Sequence, residues 1–386
     1  MRFNTFVGSV GDLERCRVCP NLKEVLLEPT LLARRGQLTV AEVRSLSEAA
    51  KKWGLRPVLV WDILMPERLM AEICDRISDW NIGQFAAIRV CDPGAAEWLT
   101  IHYPNLPIQL ILETGNHNFE ALMGWCELFA GSLERLILST ELPEHQLIEY
   151  CQKLPVPCEV LGVGRILLFY SPRSLLSSIV SEGENRQFIE TTARTEESGN
   201  RPLPTLETPH GTFLFLDKDW FILDQLDGLK NAGLHTLRLD LRHLGNNGDV
   251  AVDVDRICRQ ISEDPVMLKK NWPVEARSPF FNANRTTSIF PRMKSKSKIA
   301  RYRDEFCVAE ALAGESGKYV VFQTLRPFHI SEIDKIVIPT GKTVEIPETV
   351  VFKNLSGEGV ERCDRDQILI TDWIKKVTPG SLILRR

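Results

Sequence analysis

The reading turns on Val156-Pro157-Cys158-Glu159-Val160-Leu161-Gly162-Val163-Gly164-Arg165-Ile166-Leu167-Leu168-Phe169-Tyr170-Ser171-Pro172-Arg173-Ser174-Leu175-Leu176-Ser177. An apolar strand is predicted to open this stretch. A Gly162-x-Gly164 turn follows, with Arg165, Tyr170 and Arg173 close together beyond it. Cations and a phenol past a strand end make an anion or aromatic site. The plainer role for the same residues is strand-end polarity, with each arginine satisfied locally.

Working back towards the N-terminus, apolar runs predict strands at 3–7, 22–27, 57–61, 85–90, 108–112 and 133–138. Helical spacing predicts helices at 40–53, 65–80, 95–102, 119–129 and 144–153. In the first of these helices Val40, Val43, Leu46, Ala49 and Ala50 share one side. Residues 8–11, Gly-Ser-Val-Gly, read as a turn. Strand–helix alternation is the pattern of an α/β fold. Apolar strands without in/out alternation fit a parallel sheet covered by helices. More than six such units favour a closed TIM-like (β/α) barrel over an open doubly wound sheet. Chemistry in a barrel sits at the strand C-termini, which here carry Glu28, Asp62, Arg89, Glu113, Asn116, Glu141 and Arg165. For any one of them alone, solvation or loop capping is the ordinary role.

Beyond the opening stretch the pattern breaks. Residues 181–210 are rich in Glu, Thr, Ser, Asn and Pro and read as an irregular excursion over the barrel mouth. A strand at 212–216, a helix at 220–232, a strand at 234–241 and a helix at 252–264 follow. Asp240 and Arg242 fall at the end of the second of these strands. The barrel domain is therefore set at 1–270 and a basic linker at 271–303, where Arg292, Lys294, Lys296, Lys298, Arg301 and Arg303 run without an acidic residue. With Phe290 and Tyr302 available for stacking, that run suits RNA phosphates; a solvated linker is the plainer role. Residues 304–386 hold several short strands between glycine turns and read as a small C-terminal all-β barrel or sandwich.

Composition agrees. The 386 residues fit one large barrel plus a small domain, with 44% hydrophobic and 25% charged residues and a net charge of −4. Nothing in that charge marks the whole molecule as a polyanion binder. No apolar run reaches the roughly 18 residues of a membrane helix. The N-terminal residues lack a secretory signal's apolar core, so a cytoplasmic protein without membrane contact is expected. Ten scattered cysteines fit reduced thiols.

Four motifs in order carry a family resemblance. They are Leu138-Ser139-Thr140-Glu141-Leu142-Pro143, Gly115-Asn116-His117-Asn118 before a helix, Gly164 through Ser177, and Asp217-Lys218-Asp219 leading to Leu237-Arg238-Leu239-Asp240-Leu241-Arg242. Together they resemble peptidase family U32, the collagenase-like proteases. The resemblance implies a (β/α) barrel, often with a C-terminal β-barrel, and an iron–sulfur cluster held by cysteines. Two of the implied cysteine positions correspond to Leu167 and Ser174, and nothing between Cys158 and Cys258 is a cysteine. Leucine cannot ligate iron and a serine hydroxyl is a poor thiolate substitute, so no family-type cluster and no metal site is expected. Family members resemble oxygen-independent hydroxylases of RNA or quinone precursors, chemistry that depends on the cluster.

Other chemistry is thinly signalled. Cys16-x-x-Cys19 has ligand spacing but no second pair, so packed thiols are the plainer role. No His-Glu-x-x-His or Gly-x-Ser-x-Gly motif occurs. His117 beside Asn116 and Glu113 has the makings of a general base, or of a loop hydrogen-bonder. Two functional expectations follow. In one, a cluster-free enzyme works at the barrel mouth in hydrolysis or RNA modification. Glu113, Glu141 and Asp240 are its catalytic carboxylates, and Glu28, Asn116, Arg165, Tyr170, Arg173 and Arg242 bind substrate. In the other, a non-catalytic partner subunit recognises RNA or protein through 285–303, with Lys294, Lys296, Lys298 and Arg301 as contacts, and through the C-terminal domain.

Overall fold

The structure is a computed structural model that describes residues 1–386 apart from 114–115, 178–187, 195–201, 245–252, 283–304, 340 and 348. It divides into two compact units, Met1–Thr287 and Ser288–Arg386.

In the first unit β1 (Arg2–Phe6), β2 (Leu22–Leu27), β3 (Arg56–Trp61), β4 (Ala87–Val90), β5 (Ile108–Ile111), β6 (Leu133–Ile137) and β7 (Cys158–Ser171) pair in parallel in chain order. Between them run α1 (Val10–Arg17), α2 (Val40–Lys52), α3 (Glu67–Ser78), α4 (Pro93–His102), α5 (Phe119–Leu128) and α6 (Glu144–Lys153). The far half of β7 outruns the barrel. There β8 (Ile189–Arg194), β9 (Pro202–Thr208) and β10 (Gly211–Phe221) form an antiparallel sheet, with β10 paired to β7. After α7 (Asp227–Asn231), β11 (Thr236–Leu239) pairs in parallel with both β1 and β7 and closes an eight-stranded ring. The chain goes on through α8 (Val254–Glu263) and α9 (Pro265–Lys270) to β12 (Ala276–Arg277), which joins β10. Past residue 270, Trp272 and Phe281 are still buried in the barrel unit's main core.

Four local readings need correction. Residues 8–11 hold no free-standing turn: Ser9 caps α1 by accepting from Asp12 N–H, so Cys16 lies in a helix and Cys19 just after it. Gly162 and Gly164 lie inside continuous β7. Glycine is needed there because β11 packs close: a Cβ on Gly162 would stand 2.7 Å from Leu237 Cγ, and one on Gly164 2.9 Å from Asp240 Cβ. The excursion at 181–210 contains strands β8 and β9. The helix expected at 220–232 is the end of β10 followed by the short α7.

The barrel strands also alternate, contrary to expectation. Outward residues such as Val25, Leu27, Leu59, Ile88 and Leu110 join helix residues Val43, Leu46, Leu99 and Leu122 in one apolar core. Inward positions hold a small apolar cluster of Leu26, Ala33, Val58, Val60 and Ala87 against Phe6. Other inward positions are polar and buried: Asn4, Glu24, Arg89, Gln109, Arg135, Glu159 and Arg238. The helix faces supply the hydrophobic stabilisation, and that leaves the ring's interior available for charge.

The second unit is antiparallel. Its larger sheet joins Cys307–Glu315, Tyr319–Thr324, Ile368–Asp372, Leu382–Arg385, Ile333–Val337 and Thr343–Val344 around a core that includes Val308, Phe322, Phe352 and Ile383. Phe328–His329 and Arg362–Cys363 form a separate two-stranded ribbon.

Candidate functional site at the barrel mouth

The site rests on the buried ion network beneath it. Glu159 on β7 accepts from Arg89 Nη1 at 2.8 Å and Nη2 at 2.7 Å, from Arg135 Nη1 at 3.1 Å and from Asn4 Nδ2 at 2.8 Å. Burial works against its charge, but Arg89, Arg135 and Arg238 outweigh burial and hold its carboxyl down at about 2. Deeper in, Glu24 accepts from Arg135 and from Arg56, and Arg56 also donates to Glu134. Gln109 bridges Arg89 to Glu134. Arg238 links this layer to the rim, lying 3.8 Å from Glu159 and paired with Glu113.

At the rim, Arg242 lies between two carboxylates. Its Nη1 is 2.6 Å from both oxygens of Glu28, while Nε and Nη2 donate to Asp240 at 2.8 and 2.6 Å. The guanidinium also lies over Phe6, 3.5 Å from the ring centre. Burial, with the charge of Asp62 nearby, pushes the Glu28 carboxyl up despite Arg242. Asp240 is equally buried, but Arg242 and Arg35 hold it well below the carboxylate range. One arginine thus joins two acids displaced in opposite directions. On the next strand, Asp62 accepts from Arg34 N–H at 2.6 Å and from its Nε at 3.2 Å. Cys91 Sγ donates to the Asp62 carbonyl at 3.0 Å, and burial raises this thiol to about 12, so it is no thiolate.

The antiparallel β7–β10 pair forms a wall beside the rim. Tyr170, Phe213 and Phe215 stack in sequence with centroids 4.8 and 6.3 Å apart. Arg34 lies over Tyr170 at 5.5 Å; Arg35 and Arg165 both lie over Phe215, at 5.3 and 5.6 Å. The loop carrying Arg34 and Arg35 is pinned to this wall. Thr208 Oγ1 donates to the Arg34 carbonyl at 2.7 Å, and His210 Nε2 lies 2.6 Å from the Thr30 carbonyl.

The residues named from the sequence separate into groups. Glu28, Asp240 and Arg242 form one cluster, and Arg35, 3.6 Å from Asp240, shares Phe215 with Arg165. Glu113 joins through Arg238, and Tyr170 lies under Arg34. Arg165 also pairs with Glu190 at 3.0 Å. Glu141 stands aside, half-exposed, 3.6 Å from His117. Asn116 accepts from Trp125 Nε1 at 2.9 Å, and Arg173 is exposed. Arg89 is not a rim residue, since it is buried inside the ring. Lys294, Lys296, Lys298 and Arg301 lie outside the described residues. The sequence reading missed Arg34, Arg35, Arg238 and Phe215. The consecutive Arg34-Arg35 before Gly36, in a loop that follows a strand ending in glutamate, was the available signal.

Among the described residues, Ser139 is the hydroxyl that His117 reaches. Ser139 Oγ donates to the Glu113 carbonyl at 3.0 Å and accepts from Glu141 N–H at 3.2 Å. His117 Nε2 lies 3.0 Å from that oxygen, which the Glu113 carbonyl shares at the same distance. The residues present do not fit a cysteine-held cluster. Leu167 and Ser174 are exposed and carry no thiol, and Cys91 is the single cysteine at the barrel mouth. Among the described residues, no three His, Cys, Asp or Glu side chains are grouped to hold a metal ion.

Fold and site define a closed (β/α) barrel with a charged interior and an arginine–carboxylate mouth. The model for peptidase family U32 matches residues 29–264, and the chain belongs to that family. It is similar to tRNA hydroxylation protein P of Escherichia coli (strain K12), 23% identical over 203 residues that cover 40% of this chain and 44% of that protein. It is also similar to tRNA hydroxylation protein P2 of Bacillus subtilis (strain 168), 22% identical over 213 residues, 53% of this chain and 67% of that one. The chain thus spans less than half the length of the Escherichia coli relative. A solved structure of a U32 peptidase aligns with TM-score 0.36 at 12% identity, over 46% of this chain and 73% of that one. No helix among the described residues is long and apolar enough to cross a membrane.

Proposed function

We propose that this chain is a cytoplasmic, RNA-modification-related enzyme of family U32 that works at its barrel mouth without a family-type cluster. The observation that carries the reading is Arg242 held between Glu28 and Asp240, two carboxylates with opposite displacements. A pair of acids pushed apart by their surroundings divides the labour of acid–base chemistry. Glu28, its carboxyl raised by burial, is the proton carrier; Asp240 stays charged and fixes Arg242. Glu113 serves by holding Arg238, and Arg165, Tyr170 and Arg173 line the approach. The names of the relatives point to RNA as substrate class. The basic run at Lys294, Lys296, Lys298 and Arg301 supplies phosphate contacts.

A second reading, the non-catalytic partner subunit, is favoured by one observation: among the described residues the rim charges largely satisfy one another, the Cys91 thiol is raised by burial and Ser139 is hydrogen-bonded to the Glu113 carbonyl. One experiment separates the two. A strain lacking the gene is complemented with wild type, Glu28→Gln or Lys294/Lys296/Lys298→Ala, and its tRNA nucleosides are measured by mass spectrometry. The enzyme reading expects a modified nucleoside lost in the deletion strain and in Glu28→Gln. Full complementation by Glu28→Gln, with failure of the lysine variant, supports the partner subunit; an unchanged nucleoside profile in the deletion strain removes the RNA reading.

A further inference from the structure

Arg35 is the least satisfied cation of the rim. Its side chain is only 15% exposed, yet among the described residues its one ion pair is long, 3.6 Å to Asp240. Both Asp240 oxygens already accept from Arg242. Among the described residues the Arg35 guanidinium makes no hydrogen bond, and its Nε is buried without a partner. A guanidinium carries five N–H donors, and buried donors are nearly always matched. Arg34 beside it does have its Nε matched, by Asp62, which also accepts from the Arg34 main-chain N–H.

Two further features point at the missing partner. Arg35 and Arg165 both lie over Phe215, at 5.3 and 5.6 Å from its ring centre, and of the two Arg165 already donates through Nη1 to Glu190. Burial and the like charge of Arg242 push Arg35 down to about 10, and the nearby carboxylates of Asp240 and Glu28 do not offset them.

We infer that Arg35, with Arg165 at the same Phe215 ring, forms an oxyanion subsite that takes a phosphate group at the barrel mouth. A tetrahedral oxyanion offers oxygens to two separate guanidiniums at once. The phosphate is that of a mononucleotide or of an RNA backbone, and the chemistry at Arg35 is the same for both. The subsite does not depend on Glu28 as proton carrier, so it stands or falls separately from the enzymatic reading.

The test uses the full chain and isothermal titration with inorganic phosphate, a nucleoside 5′-monophosphate and a short single-stranded RNA, at constant ionic strength set with chloride. Phosphate is expected to bind wild type and to bind Arg35→Gln at least tenfold more weakly, with a similar loss in Arg165→Gln. Tighter binding of the mononucleotide than of RNA assigns the small-molecule source; the reverse order assigns the backbone. Phe215→Leu keeps an apolar side chain but loosens both guanidiniums, and is expected to weaken phosphate several-fold while circular dichroism stays native. Equal phosphate affinity in wild type and folded Arg35→Gln overturns the inference, as does wild type that distinguishes phosphate from chloride in no titration.

Discussion

Arg89 holds Glu159 with both terminal nitrogens, at 2.8 and 2.7 Å, inside the closed ring where both side chains are all but fully buried. Glu159 is also the counter-charge of Arg135 and lies near Arg238. Removing its charge strands several buried cations, and breaking one side of a buried pair costs about 3–5 kcal/mol. Glu159→Gln is therefore expected to lower unfolding stability by about that amount in urea titrations. The double variant Arg89→Gln/Glu159→Gln is expected to lose less than the two single changes added together, because one stranded cation goes with its partner. A loss below about 1 kcal/mol in Glu159→Gln would mean that the network is not the barrel's internal support.

The same network sets a pH dependence. The folded carboxyl of Glu159 lies at about 2 against an ordinary 4.5. A depressed carboxyl contributes stability that is fully present above its unfolded value and is lost as pH falls through the folded value. Glu24 and Asp240 are also displaced downward and add to the same limb. Glu28 is displaced upward, so its contribution runs the other way, present at low pH and lost as pH rises. The expected melting profile is flat near neutrality and falls steadily from about pH 4.5 to about pH 2. In Glu159→Gln the acid limb becomes shallower. An acid limb of unchanged slope in that variant would remove Glu159 as its source.

The amphipathic helices and buried strands were legible because their periodicity reports the outer core. Leu22–Leu27 and Glu144–Lys153 read residue for residue. The inner face was not legible. A four-residue strand such as Ala87–Val90 carries one inward arginine among apolar neighbours, and it reads as a hydrophobic run with a polar end. Only ring closure shows that Arg89, Gln109, Arg135 and Glu159 meet. Strands β8 and β9 were hidden by their Glu, Thr and Pro content, since a small sheet standing beside the barrel needs little apolar surface. Of the rim residues, Glu28, Asp240 and Arg242 were visible as strand ends. Arg35 was not, because its place depends on a loop pinned by contacts nearly 180 residues away in sequence.

The close approach of β11 to β7 gives a packing prediction. A Cβ on Gly162 meets Leu237 Cγ at 2.7 Å and Leu223 Cδ2 at 2.9 Å. Both neighbours are fully buried and have little room to yield. Gly162→Ala is expected to cost about 1–3 kcal/mol by overpacking. Leu237→Ala alone leaves a cavity and costs about 2–5 kcal/mol. Together they should cost clearly less than their sum, since the new methyl partly fills the space the leucine leaves. Strict additivity in thermal or urea unfolding would show that strand contact at this point does not explain the glycine.

The last prediction concerns iron. A family-type cluster needs several thiolates converging on one place. This chain brings one cysteine to the mouth, Cys91, and that thiol is neutral and committed to the Asp62 carbonyl. Cys16, Cys19 and Cys258 are buried in the apolar core outside the ring, as are Cys126 and Cys158, and Cys307 and Cys363 belong to the second unit. Protein purified anaerobically, then incubated with ferrous iron, sulfide and a thiol reductant and desalted, is therefore expected to hold well under one iron per chain and to stay colourless. Cys91→Ser is expected to leave that result unchanged. A brown preparation with several irons and matching sulfide per chain would show that ligands are recruited from elsewhere, and Glu28 and Asp240 would then have to be reread as neighbours of a cluster.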